Sequence, residues 1–260
     1  MSELVLRELS DGILRLTLND PATRNSLSEM MIQELRAALN ESKARVIIIA
    51  AHGPAFSSGH NLKEITARRA DADGGSAYFK NLFDSCAQLM LTIVNHPCPV
   101  IAEIDGLASA AGCQLVASCD LAVATDRSTF CTPGVNIGLF CSTPMVALTR
   151  AVQRKHALEM LLTGDLIPAA EAMRMGLINR VTSHNELKAM TQELALRIAS
   201  RSGIAIKTGK QAFNAQSEMA VSEAYAYMAQ IMADNLLEAD AREGIGAFIE
   251  KRKPKWEQDL

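Results

Sequence analysis

The sequence predicts an α/β chain: a mostly parallel sheet with helices outside it, followed by a helical C-terminal part. Three observations predict it. RVIIIAA at 45–51 is a short, continuous apolar run rich in β-branched residues, the pattern of a strand buried on both faces. CPVIAEID (98–105) and DLAVA (120–124) repeat the pattern with helical segments between, and such crossovers make neighbouring strands parallel. Beyond about residue 200 only helical periods remain.

The elements follow in order. LVLREL (4–9) and ILRLTL (13–18) flank Asp11-Gly12, which signals a hairpin. Ser26 and Glu29 have capping-box spacing and predict a helix with Met31, Leu35, Ala38 and Leu39 on one face. After the strand at 45–51 comes a glycine-bearing loop, HGPAFSSGHN (52–61). A helix is expected over 76–95, with Phe79, Leu82, Phe83, Cys86, Leu89, Met90 and Ile93 inward and Pro97 and Pro99 ending it. The strand within 98–105 runs into Gly106 and a small-residue elbow, Ala108 to Gly112, which opens a short helix. Helical periods return in TPMVALTRAV, KHALEMLLTG and PAAEAMRMG, and Ser183 with Glu186 has the spacing of a second capping box. No internal repeat or flexible linker interrupts the chain.

Composition narrows the function. With 260 residues, 48% of them apolar, the chain can bury a substantial core. A net charge of −3 argues against nucleic-acid binding, the run Lys251-Arg252-Lys253-Pro254-Lys255 being the local exception. The six cysteines form no CxxC pair and sit among apolar neighbours, as reduced core residues of a cytosol-like compartment do. The five histidines lack HxxxH or HExxH spacing, so no metal site is expected. GxSxG, GxGxxG and GxxxxGK[ST] are all missing, which leaves serine hydrolysis, nicotinamide cofactors and nucleoside triphosphates unsupported. MSELVLRELSDG reads as neither a signal peptide nor a transit segment, and no run approaches the ~20 apolar residues of a membrane helix. A soluble, cytoplasmic protein is expected.

The elbow at 108–112 is the chemically informative stretch. Small residues let a reacting group approach the backbone, and the first N–H groups of the helix have no partner within it. Such donors form a pocket for developing negative charge.

FSSGHNLKE (56–64), IAEIDGLASAAGCQLVASCDLAVA (101–124), LTGDLIPAAEAMRMGLINRV (162–181) and AFIEKRKPKW (247–256) resemble the enoyl-CoA hydratase/isomerase, or crotonase, superfamily. They do so in order across nearly the whole chain, and GCQLVASCDLAVA followed by TPGVNIGLFCSTP resembles one of its subgroups. The resemblance implies a crotonase-like ββα spiral core over 1–200 and a C-terminal α-helical region over 201–260 that makes subunit and coenzyme A contacts. It further implies a homo-oligomer (a trimer or a dimer of trimers) and an acyl-CoA thioester as substrate or ligand, with no other cofactor. Two backbone amides, those of His60 and Ala111, would hold the thioester oxygen as it becomes an enolate. The His60 imidazole is then either a bystander on the loop or a group that moves a proton. Arg24, Asn25 and Leu27 would border the pantetheine and adenine, with Ser58 and Leu62 flanking the first amide. Phe248 and Lys251 would sit on a last helix that reaches a neighbouring subunit's ligand. The plainer alternatives are a helix-entry turn for 24–27 and a solvated basic end for 251–255.

The residues also depart from that family. The two glutamates that hydratases use to add water correspond here to Gln114 and Gly134, neither of which accepts a proton at neutral pH. A positioned acid or base contributes about 10²–10⁴-fold, so efficient hydration is not expected. Glu103 and Asp105 are the nearest replacement carboxylates, and the plainer reading pairs them elsewhere. Cys141 and Ser142 occupy a segment where other members place an acid, but neither is one. Asp120 reads as a cap or turn residue. Two alternatives to a hydratase or isomerase remain open: decarboxylation of a malonyl-type thioester, which makes an enolate without a base, and non-catalytic acyl-CoA binding.

Overall fold

The structure, a computed structural model, describes residues 3–256. β1 (Val5–Ser10) and β2 (Ile13–Leu18) form the expected hairpin, with Asp11 and Gly12 at φ of 53° and 73°. Positive φ at both turn residues matches the twist of the strands they join. Next come α1 (Glu29–Asn40), β3 (Val46–Ala51), β4 (Ala55–Ser57), α2 (Leu62–Arg68) and α3 (Ser76–Val94). β5 (Val100–Ile104) and β6 (Leu107–Ser109) lead into α4 (Ala111–Ser118). β7 (Leu121–Thr125) and β8 (Thr129–Cys131) lead into α5 (Ser142–Ala151) and α6 (Arg154–Thr163). The short β9 (Ile167–Pro168), α7 (Ala169–Met175), β10 (Arg180–Thr182) and α8 (Leu187–Ala199) follow. α9 (Gly203–Gln216), α10 (Val221–Leu237) and α11 (Ala239–Ile249) form a helical C-terminal region.

Successive strand pairs divide between two sheets. The larger has the order β1-β2-β3-β5-β7-β10 and is parallel apart from its first pair. The smaller has the order β4-β6-β8-β9, and only β8–β9 is antiparallel. From β3 to β8 each turn of chain thus lays one strand in each sheet before a helix returns it, which is a ββα spiral. The run at 45–51 is apolar throughout because both its faces are covered. Ile47 and Ile49 join the core under α1 and α3, while Val46 and Ile48 pack with Leu187, Leu194 and Ala195 of α8.

Several local expectations are corrected. The α1 cap is Ser28, whose side chain accepts from the Met31 amide, whereas Ser26 bonds to Thr23. Ser183 donates to the Glu186 carboxylate at 2.8 Å and precedes a single 3-10 turn; the α-helix begins at Leu187. A capping box needs side chains on backbone amides, and spacing alone does not show which atoms meet. On α3, Leu82, Cys86, Leu89, Met90 and Ile93 are buried as expected, but Phe79 is only half-buried and Phe83 is exposed.

Polar ties hold the layers in register. Arg15 on β2 grips Glu103 on β5 through two bonds of 2.6 and 3.1 Å, both side chains about nine-tenths buried. Lys210 on α9 donates to Asp120 at 2.7 Å and to the carbonyls of Ile93 and Cys98, fastening the helical region to the core. Asp120 also accepts from the Val100 amide, and burial pushes its carboxyl above the usual value despite the lysine beside it. Removing one charge of a buried pair leaves the other uncompensated. Glu103→Gln should therefore lower stability by about 3 kcal/mol, read from urea unfolding.

Candidate active site

β4 and β6 lie side by side, with Ala55 opposite Leu107 and Ser57 opposite Ala108. Two parallel neighbours end at the same edge, so the loop after β4 (58–60) meets the elbow after β6 (110–112) there. The approach is too close for side chains. A Cβ on Gly59 would stand 2.9 Å from Ala110 Cβ and 3.2 Å from the Ala111 nitrogen. One on Gly112 would stand 2.4 Å from the Ser57 carbonyl oxygen. Ala110 itself sits at φ 50° and ψ −115°, outside the ordinary range of an L-residue. That conformation turns the following peptide plane, so that Ala111 opens α4 with a free N–H.

His60 and Ala111 line one cleft of about 490 Å³. Among the described residues neither of their amides donates to a protein acceptor. The cleft wall is chiefly apolar, with Leu62, Ile65, Phe83, Ile137, Leu139 and Phe140. Ser58, Gly134, Cys141 and Ser142 also face it.

The His60 ring is fixed. Its Nδ1 lies 3.0 Å from the Leu27 carbonyl oxygen, which only accepts, so Nδ1 carries the proton. Phe83 meets the ring edge-on, with centroids 5.4 Å apart. Burial lowers the imidazole pKa, so the ring is neutral at pH 7 and Nε2 holds a lone pair. Nε2 is buried without a partner, as are Gln114 Oε1 and Thr132 Oγ1. Unpaired buried polar atoms cost about 1–3 kcal/mol each, and Gln114 lies one helical turn past Ala111. Burial also raises the Cys141 thiol above its ordinary pKa, so it stays protonated.

The other expected site residues fall into two groups. Ser58 and Leu62 line the cleft beside His60. Arg24 is exposed with left-handed backbone, its carbonyl accepting from the Ser58 amide. The Asn25 side chain is fully buried, donating to the carbonyls of His52 and Ala55 and accepting from the Asp20 amide. Leu27 is a core side chain. These two hold the loop that carries His60, and neither side chain is free to touch a ligand. Phe248, 85% exposed, and Lys251, also exposed, lie at the end of α11 away from the cleft lining.

Gly134 is buried, and an added Cβ would stand 3.0 Å from Cys141 Sγ and 3.1 Å from the Leu139 carbonyl oxygen. Glu103 is held by Arg15. Asp105 is held by Arg127, Thr125 and His184. Ser58 Oγ bonds to the Thr23 carbonyl and Ser57 Oγ receives the Gly59 amide, so neither serine pairs with His60. The sequence reading missed Phe83 as a cleft residue and the apolar loop Ile137, Leu139 and Phe140. Three large apolar residues around a glycine, outside any strand or helix period, were the available signal.

The sequence pattern of the enoyl-CoA hydratase/isomerase family matches residues 8–259. The chain belongs to the enoyl-CoA hydratase/isomerase family. Within this crotonase family it is 52% identical to mouse mitochondrial enoyl-CoA hydratase domain-containing protein 3 over 250 residues, 95% of this chain and 82% of that protein. The human counterpart is 49% identical over 253 residues, covering 96% and 82% of the two chains. The crystal structure of human enoyl-CoA hydratase domain-containing protein 3 superposes with a TM-score of 0.92 at 48% identity, covering 97% of this chain and all of that one. An enoyl-CoA hydratase from Mycobacterium smegmatis gives 0.93 at 43% identity, covering 98% and 99%. The subgroup marked by GCQLVASCDLAVA is thus that of domain-containing protein 3.

One expectation is overturned by these relatives. A cytoplasmic location was expected, yet the relatives from mouse, rat, frog, human and zebrafish are all named mitochondrial. Unpaired thiols suit any reducing interior, so cysteine usage does not separate cytosol from organelle. No described helix is long and apolar enough to cross a membrane.

Strain at Ala110 gives a direct test. Ala110→Gly should relieve the positive-φ penalty and raise stability by about 1 kcal/mol in urea unfolding. Gly59→Ala should instead destabilise the protein and impair the site, because its Cβ would force the two loops apart.

Proposed function

We propose that this protein binds an acyl-CoA thioester in the cleft and polarises its carbonyl between the His60 and Ala111 amides, without the carboxylate pair that water addition uses. The observation that carries this reading is that His60 and Ala111, each with an unpartnered amide and on loops packed together at Gly59 and Ala110, line one largely apolar cleft. Such a cleft suits an acyl tail, and a volume of about 490 Å³ lies within the usual range of small-molecule sites. Each oxyanion donor is worth about 10²–10³ in rate, and both donors are available. In this reading Ser58 and Leu62 of the cleft lining, with Arg24 bonded behind Ser58, would border the coenzyme A portion. Asn25 and Leu27 would act by shaping the loop.

No buried residue lies on α10, and Val221, Tyr225, Met232 and Leu237 are exposed on it. In this reading residues 201–260 supply subunit contacts in a trimer or dimer of trimers. Phe248 and Lys251 would then reach a neighbouring subunit's coenzyme A. Light scattering on the purified protein tests this; a monomer at micromolar concentration would refute it.

Decarboxylation of a malonyl-type thioester is disfavoured by the lining. It would bring a free carboxylate among walls that, over the described residues, carry no cation, which opposes binding. A purely binding role predicts affinity with no turnover on any thioester.

Calorimetry with saturated acyl-CoA should show binding. Crotonyl-CoA hydration should run at least about 10²-fold below that of glutamate-bearing relatives. Gln114→Glu with Gly134→Glu should raise hydration above the parent. Gln114→Glu is the better accommodated of the two, because a side chain at 134 must displace Cys141 and the Leu139 carbonyl. Hydration by the parent at the rate of those relatives would show that a base is in place and refute the reading.

A further inference from the structure

The cleft contains one side chain able to accept a proton near neutrality. Of the described lining residues only His60 and Cys141 titrate, and burial keeps Cys141 a thiol. The elements packed around His60 bring no competing charge to it. α2 presents Leu62 and Ile65, α3 presents Phe83, and the turn before α1 presents the Leu27 carbonyl. Glu64 is engaged by Asn61 and Tyr78, and Lys80 by Asp84.

We propose that the His60 imidazole, through its unpartnered Nε2, takes a proton from carbon α of the bound thioester and returns it. The substrate class is an acyl-CoA with at least one α-hydrogen. This deepens the thioester reading above and rests on it.

The geometry argues for this role in three ways. First, the Leu27 carbonyl fixes the proton on Nδ1, leaving Nε2 as an acceptor with no protein donor. Second, the amide assigned to the thioester oxygen and the imidazole issue from one residue, and carbon α is bonded directly to the carbonyl carbon. Third, the imidazole and the Phe83 ring that meets it edge-on both line the cleft, and Phe83 is itself 38% exposed, so the apolar wall beside the ring is the one an acyl group would meet.

The step balances within the site. The Cα–H bond breaks as an Nε2–H bond forms. Its electron pair becomes the Cα=C double bond of the enolate, and the carbonyl π pair moves onto the oxygen held by the amides. Reversal returns the proton to carbon α; where the imidazolium first exchanges its Nε2 proton with deuterated water, it returns a deuteron instead. No oxidant or further reactant takes part.

The test is α-deuterium incorporation into a saturated acyl-CoA, such as butyryl-CoA, followed by mass spectrometry with binding measured separately by calorimetry. The parent should exchange, and the acid limb of its pH profile should fall below about 6.5, the ordinary histidine value, because burial lowers the ring. His60→Gln and His60→Asn both keep the backbone amide and offer no base. They should retain binding and lose exchange by at least about 10²-fold. Exchange undiminished in both variants, or absent in a parent that binds the thioester, would overturn the assignment. Failure of the parent to bind any acyl-CoA would instead overturn the thioester reading beneath it.

Discussion

The structure depends on the contact between the ends of β4 and β6. Two parallel strands must bring their following loops to within a single atom of one another, which only residues with little or no side chain allow. Gly59 and Gly112 meet that demand by lacking a Cβ. Ala110 meets it less comfortably, at a backbone conformation that costs about 1–3 kcal/mol for a residue with a side chain. The cost is borne by the surrounding sheet order. β6 is held between β4 and β8, and the Ala110 amide donates to the Cys131 carbonyl on β8, so the elbow is tied down on the side away from the cleft. With that tie in place, the next amide along is left over.

A second constraint runs through the turn at 20–28. Asn25 uses its whole side-chain amide on three backbone groups, joining the loops at 20, 52 and 55. Leu27 then sits in the core with its amide donating to Gly59 and its carbonyl accepting from His60. The turn positions both ends of the 58–60 loop without touching the cleft with a side chain. Asn25 and Leu27 therefore act by holding the residue that faces the cleft. Loss of the Asn25 amide would strand three buried backbone groups and loosen the site from a distance.

How much was legible follows from what kind of signal each feature leaves. Strands of the larger sheet were readable because Val46–Ala51, Val100–Ile104 and Leu121–Thr125 are covered on both faces and so read as unbroken apolar runs. The smaller sheet was not readable from periodicity. β4, β6 and β8 have three residues each, shorter than any period can show, and only the family resemblance implied the spiral that needs them. Phe83 fell on the expected inner face of α3 by spacing, but the helix there runs past the core and along the cleft. Spacing records which residues share a face and not what that face meets. The His60 tautomer was beyond reach for the same reason, since its partner Leu27 lies 33 positions away.

A cleft whose described lining holds no carboxylate differs in more than proton transfer. Ionised groups in an apolar cleft must be desolvated, and each needs hydrogen bonds or a counter-charge to stay there. Among the described residues the cleft lining carries no such group, and Leu, Ile and Phe line it without that penalty. Amide dipoles also act more strongly in such surroundings, because the local dielectric is low and no ion competes for the developing negative charge. A neutral imidazole fits this arrangement where a carboxylate does not. In the proposed step it is uncharged at rest, and its positive charge would arise only while the enolate's negative charge exists beside it. Charge separation is then confined to the moment of reaction, and the resting cleft stays compatible with a bound hydrocarbon tail.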